Sequence, residues 1–278
     1  MLKIDAHQHF WKYDPVRDNW ITDELQILKH DFLPNNLGIL LKSAGFDGCI
    51  TVQSDQSEYE NAFQLNNAAE NPFIKGVVGW LDLQAENLNE RLDYFSQFDK
   101  FKGIRHILQA EEQRDFMLRP KFLNGIRALR QYNLTYDILI YPDQLAYTET
   151  FVAQFPDQPF VIDHLAKPNI KQKDIIDWKK NIENIAKFEN VYCKLSGLIT
   201  EADWNNWKPN DFKPYLDIAL EAFGTKRLMF GSDWPVCNLA GSFQQVHQLI
   251  ADYFDSFTQT EQIHIFGGNA VRFYNIFD

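Results

Sequence analysis

Cysteine is scarce in this 278-residue chain: Cys49, Cys193 and Cys237 are widely separated and form no CxxC pattern. Neither a disulfide framework nor a cysteine zinc site is expected, and a reducing cytoplasm fits best. Positive charge is also short. Lys plus Arg number 27 against 38 Asp plus Glu, a formal net charge of −11. Such a molecule repels phosphate backbones and anionic lipid, which argues against nucleic-acid and membrane-surface partners. There is no long apolar run, and the N-terminal MLKIDAHQHF turns polar at position 5, unlike a signal peptide or a membrane span. GxGxxG, GxxxxGK[ST] and GxSxG are all missing, so dinucleotide, P-loop and α/β-hydrolase chemistry lack their signatures.

What is present is a regular alternation. Short apolar runs at 2–5, 48–52, 76–81, 103–107, 135–140, 160–163, 191–195 and 228–230 each end in a polar cluster and predict eight strands. Helical spacing fills the gaps, as in Leu88/Leu92/Phe95, Phe122/Ile126/Leu129, Trp178/Ile182/Ile185 and Leu216/Ala219/Leu220/Phe223, the last followed by Gly224 as a C-terminal cap. Each gap is long enough for the crossover that parallel strands require. The expectation is an α/β protein, a single-domain (β/α)8 barrel over 1–278, with an open doubly wound sheet as the alternative. The longest unassigned stretch, 10–34, carries Trp11, Tyr13, Trp20 and Phe32 and reads as a lid over the barrel mouth, or else as an extension packed on its side.

In such a barrel the C-terminal strand ends converge on one mouth, so the residues there carry the chemistry. The first strand leads into Asp5-Ala6-His7-Gln8-His9, whose two imidazoles fall on one side of an extended chain. His164 follows the sixth strand and Asp233 the eighth. Three imidazoles and a carboxylate suit a metal such as Zn²⁺ or Mn²⁺ with room for water. Arg105 and His106 end the fourth strand and Lys194 the seventh, offering cations to a polyhydroxylated or anionic substrate. Asp137 is the obvious alternative partner for Arg105. Gln53 and Trp80, near the second and third strand ends, can add an amide and an indole. His30, His247 and His264 read as packing or surface residues, and the cysteines as buried and inert.

The set DAHQHFW, GIRHILQ, VIDHLAKP, VYCKLSGL, LMFGSDWPV and FGGNAVRFY resembles the amidohydrolase superfamily. Its branch of sugar-lactone and dicarboxylate-lactone hydrolases, which includes L-fuconolactonase-like and L-rhamnonolactonase-like enzymes, is the nearest match. The resemblance implies a barrel with His7, His9, His164 and Asp233 at its mouth, with Asp233 as the proton-handling catalytic carboxylate beside His164. The substrate it implies is a small-molecule lactone. A fourth strand ending in Arg105-His106 and a fifth, TYDILIY, without histidine depart from binuclear members. That leaves at most one divalent cation, Zn²⁺ or Mn²⁺, and the branch also contains metal-independent lactonases. The alternative within the superfamily is a metal-dependent decarboxylase of a small carboxylic acid, which the histidine-free fifth strand disfavours.

Overall fold

In a computed structural model, which describes residues 1–276, strands and helices alternate from end to end. The first half runs β1 (Ile4–Gln8), α1 (Pro34–Ser43), β2 (Gly48–Val52), α2 (Glu58–Glu70), β3 (Ile74–Gly79), α3 (Leu88–Phe95), β4 (Phe101–His106) and α4 (Pro120–Leu129). The second half repeats the pattern with β5 (Thr135–Ile138), α5 (Leu145–Val152), β6 (Phe160–Ile162), α6 (Ile176–Ile185), β7 (Val191–Leu195), α7 (Pro209–Phe223), β8 (Leu228–Phe230) and α8 (Phe243–Phe254). Two short helices, α9 (Gln259–Ile263) and α10 (Asn269–Phe273), end the fold.

Each strand pairs in parallel with the next, from β1 on β2 through β7 on β8. Just beyond β8 the chain bridges back to β1: Gln8 pairs with Trp234, the Asp233 N–H donates to the His7 carbonyl at 2.8 Å, and the His9 N–H donates to the Trp234 carbonyl at 2.7 Å. The sheet is thus the closed (β/α)8 barrel expected of a βα alternation. This closing seam is where His7 of β1 and His9, just past its end, meet Asp233.

Burial explains which segments took which form. The helices lay one apolar stripe on the barrel, as α4 does with Phe122, Ile126 and Leu129, and each such side chain contributes about 1.5–3 kcal/mol. Side-chain caps start others: the hydroxyl of Ser57 accepts from the Glu60 N–H ahead of α2, and that of Ser242 from the Gln245 N–H ahead of α8. Inside the barrel, Ile4, Ala6, Ile50, Val52, Val78 and Met229 pack with Phe273 and Tyr274, so the C-terminal helix stops the lower end. Polar groups are left to the upper end.

Five strands, β1, β3, β4, β5 and β6, begin or end away from their expected limits, most of all β1, which continues through His7 to Gln8. Every residue of β1 is buried despite its polarity, because neighbouring strands supply partners that a hydropathy pattern does not register. The 10–34 stretch is not structureless. Its ends are tied by reciprocal Trp11–Phe32 backbone hydrogen bonds of 2.9 Å, and a short 3₁₀ turn spans Asp23–Leu28. Phe32 meets the Trp234 ring edge-on at 5.3 Å, which fixes the stretch beside the seam. Among the described residues no helix is long and apolar enough to cross a membrane.

Candidate active site

The pairing of β1 with β2 slips between Asp5, opposite Cys49, and Gln8, opposite Thr51. Three steps on one strand match two on the other, and the bulge turns consecutive residues inward. Ala6 joins the interior apolar cluster while His7 touches Lys194 and Arg105. His9 completes the pair: its Nδ1 lies 2.7 Å from the Val52 carbonyl, an acceptor only, so Nδ1 carries the proton and the Nε2 lone pair faces the site. The Nε2 atoms of His7 and His9 are 3.2 Å apart.

His164 reaches the same place by an unusual path. Residues His164, Leu165, Ala166 and Lys167 all have φ between +50° and +56°, one turn of left-handed helix. L-residues resist this conformation by about 1–2 kcal/mol each, so tertiary contacts must hold it, among them the Trp178 indole N–H on the Leu165 carbonyl at 2.7 Å. The imidazole Nδ1 lies 2.8 Å from the Ser196 hydroxyl. Gly197 allows the approach: it has φ +63°, and a Cβ there would sit 2.6 Å from His164 Nδ1.

Asp233 also has a left-handed backbone, φ +57°. The residue before it is clamped to β1, since Ser232 gives its N–H to Asp5 Oδ1 at 2.8 Å and its hydroxyl to Asp5 Oδ2 at 2.6 Å. Asp233 Oδ1 then lies 3.4 Å from His9 Nε2, 3.8 Å from His7 Nε2 and 3.9 Å from His164 Nε2. Burial opposes ionisation of Asp233, but His164, His9 and His7 outweigh it and hold the carboxyl well below the usual carboxylate range. His164, buried in turn, is pushed down to about 4 against the pull of Asp233 and Asp163. At neutral pH Asp233 is a carboxylate beside the neutral imidazoles of His7 and His164.

Beneath them lies a buried ionic layer. Lys194 Nζ is 2.5 Å from Asp137 Oδ2, 3.0 Å from Asp163 Oδ1 and 3.1 Å from His7 Nδ1. Arg105 Nη1 donates to Asp163 Oδ2 at 3.1 Å and lies 3.3 Å from His7 Nε2. Two acids and two bases neutralise one another, which is the condition for keeping such charges out of water. Burial opposes ionisation of Asp163, yet Lys194, His7 and Arg105 outweigh it and hold it well below the usual range.

These contacts revise several expectations. Arg105 pairs with Asp163; it is Lys194 that takes Asp137. Lys194 has no exposed surface and belongs to the ionic layer, so the expected substrate contact is corrected to a structural one. His106 also turns away. It stacks on Phe116 at 5.1 Å, its Nδ1 accepts from the Trp80 indole at 3.2 Å, and its Nε2 donates to Glu111 at 2.7 Å, an arrangement that consumes Trp80 as well. Gln53 is buried against Arg105, accepting from the guanidinium on both its side-chain and its backbone oxygen. It orients the arginine.

Above Asp233 opens a cavity of about 270 Å³. His9, Arg105, His164 and Asp233 give it a polar floor, and Trp11 and Trp20 from the 10–34 stretch supply aromatic wall. Lys167 and Gln109 also line it. Both stand inside the VIDHLAKP and GIRHILQ motifs, but only the left-handed turn and the folding of the β4 loop bring them round to the cavity, so spacing alone does not reveal them. Asp163, next to His164 in sequence, was legible only as part of its motif.

The family model for amidohydrolases matches residues 4–276. The chain belongs to the amidohydrolase family. An L-fucono-1,5-lactonase of Burkholderia multivorans is 38% identical over 98% of this chain and 96% of its own length. A second L-fucono-1,5-lactonase, from Burkholderia ambifaria, is 34% identical over 99% and 96%. A crystal structure of an amidohydrolase from Burkholderia multivorans with bound zinc superimposes with a TM-score of 0.96 at 37% identity, covering 99% of this chain and all of that one.

The donor set of this amidohydrolase fits one divalent ion. Ligand atoms of His7, His164 and Asp233 lie within 4.8 Å of one another, and the His9 lone pair faces the same point. Each outer nitrogen is already engaged, His9 with Val52 and His164 with Ser196, as orienting partners of metal-binding imidazoles are. A second ion beside His7 would meet the Arg105 guanidinium.

Proposed function

We propose that this chain hydrolyses a sugar-acid lactone, an aldonolactone of the 1,5 class, to the open acid. The observation that carries the reading is the Asp233 carboxylate sharing one small cavity with the guanidinium of Arg105 and the imidazoles of His9 and His164. The names of the full-length relatives support it. A cavity near 270 Å³ suits a single sugar ring rather than a chain of them.

Asp233 accepts a proton from water as the water oxygen bonds to the lactone carbonyl carbon. The carbonyl π electrons move onto its oxygen, where Arg105 stabilises the negative charge. Ring opening then breaks the carbon–oxygen bond to the ring oxygen, and Asp233 returns its proton to that leaving oxygen. His164, neutral and held by Ser196, orients the water as a positioning neighbour of Asp233. A divalent cation, Zn²⁺ or Mn²⁺, held by His7, His9, His164 and Asp233 would polarise the carbonyl. Trp11 and Trp20 offer flat faces to the apolar side of the sugar, which is the lid role we assign to 10–34. The three buried thiols suit a reducing cytoplasm, the compartment we propose.

A panel of aldonolactones followed by proton release, with and without chelator, tests the substrate. Asp233→Asn keeps the shape but cannot accept the proton, so kcat falls by about 10²–10⁴ with the fold retained. A variant near the wild-type rate would remove Asp233 as the base.

A further inference from the structure

We propose that Gln109 is a specificity-determining residue, whose side-chain amide takes one ring hydroxyl of the lactone; the inference rests on the lactonase reading above. Gln109 follows β4 in a short turn that is pinned from several sides. Its N–H donates to the Leu139 carbonyl at 3.0 Å and its carbonyl accepts from Arg114 Nη1 at 3.0 Å. Arg114 is itself held by Asp143 at 2.7 Å. Just before it, the Leu108 carbonyl accepts from Gln144 at 2.9 Å, and the Ile107 N–H donates to Gln56 Oε1 at 2.7 Å. None of these contacts involves the Gln109 side chain.

Gln109 lines the cavity above Asp233, and its amide oxygen is buried without a protein partner. Buried acceptors almost always have one, and leaving one unmade is costly. A pinned backbone that holds an amide with an unsatisfied oxygen at the wall of the cavity is the arrangement expected where a partner arrives with the substrate. The wall around it is apolar, with Ile107, Ala110 and Leu139, so Gln109 is the group on that side able to receive a polar substituent. A hydroxyl both donates and accepts, and it satisfies the amide whichever of its two ends faces the cavity. Arg105, at the end of β4, also lines this cavity and keeps a buried Nε without a protein partner.

The consequence is selectivity of a particular form. A site built to bond a hydroxyl rejects the analogue that lacks it, because the protein group is then left buried and unpaired. Removing both partners together relieves the penalty.

The test measures kcat/KM for the wild type and for Gln109→Met, similar in length but without the amide, on one aldono-1,5-lactone and on its set of monodeoxy analogues. Circular dichroism checks the fold. On the fully hydroxylated lactone the variant is expected to lose about tenfold to a hundredfold. The wild type should lose a comparable factor on one deoxy analogue, and on that analogue alone the variant and wild type should converge. Equal rates for the two proteins on the parent lactone, or a gap that persists unchanged across every analogue, would overturn the assignment. The wild-type deoxy series stands even if the variant fails to fold: no analogue losing more than about threefold would also overturn it. A wild type that turns over no aldonolactone refutes the lactonase reading and the assignment with it, an outcome distinct from turnover without a Gln109 effect.

Discussion

Replacing Gly197 by alanine tests whether the site depends on close approach of the β7 loop to His164. The added Cβ would lie 2.6 Å from His164 Nδ1, whereas ordinary contact begins at 3.4 Å, so the imidazole must retreat by about 0.8 Å. Its bond with Ser196 then breaks, at a cost of about 0.5–1.5 kcal/mol. The backbone at φ +63° adds about 1–2 kcal/mol of strain for a residue with a Cβ. Together these give about 1.5–3.5 kcal/mol. With an unfolding entropy near 2.1 cal/mol/K per residue over 278 residues, Tm falls by about 3–6 °C. A displacement approaching 1 Å at a group that orients the attacking water costs about 10²-fold in kcat/KM. Gly224→Ala is the control. Gly224 has the same φ of +63° with no atom within 4 Å of the added Cβ, so it loses stability and keeps activity. Thermal melts and lactone hydrolysis on the two variants decide the matter. Wild-type activity in Gly197→Ala, or an equal loss of activity in both, would refute the reasoning.

Lys194→Met leaves Asp137 and Asp163 without their shared cation and is expected to destabilise the fold by about 3–5 kcal/mol, read by urea unfolding; a neutral effect would show the ionic layer to be dispensable. Calorimetric titration with Zn²⁺ is expected to find no more than one equivalent bound at the histidine cluster, weakened by His9→Ala, because Arg105 occupies the space beside His7; a second tight equivalent contradicts this. Burial and the neighbouring Lys3 push His247 down to about 4 from its ordinary 6.5. The neutral ring is therefore the folded form, the unfolded chain binds the extra proton, and stability is full above about pH 6.5 and lost as pH falls towards 4. His247→Gln keeps an acceptor for Lys3 and should flatten that part of the pH–stability curve; an unchanged curve counts against it.

The alternation of short apolar runs with helically spaced stretches determined the barrel, because each period of side chains can bury itself only as a strand or as a helix. The polar residues closing those runs determined that His7, His9, His164 and Asp233 would meet, since a parallel barrel brings its C-terminal strand ends together. Direction within that mouth was not legible. Whether His7 points inward depends on a bulge between Asp5 and Gln8, and a bulge is set by pairing with β2 rather than by the hydropathy of β1. Lys194 and Arg105 look alike at strand ends, yet one is drawn wholly into the ionic layer by Asp137 and Asp163 while the other also reaches the cavity. Their division of labour follows from which carboxylates lie across the barrel. Lys167 and Gln109 enter the cavity through a left-handed turn and a pinned loop that local propensity does not favour and that only long-range hydrogen bonds sustain.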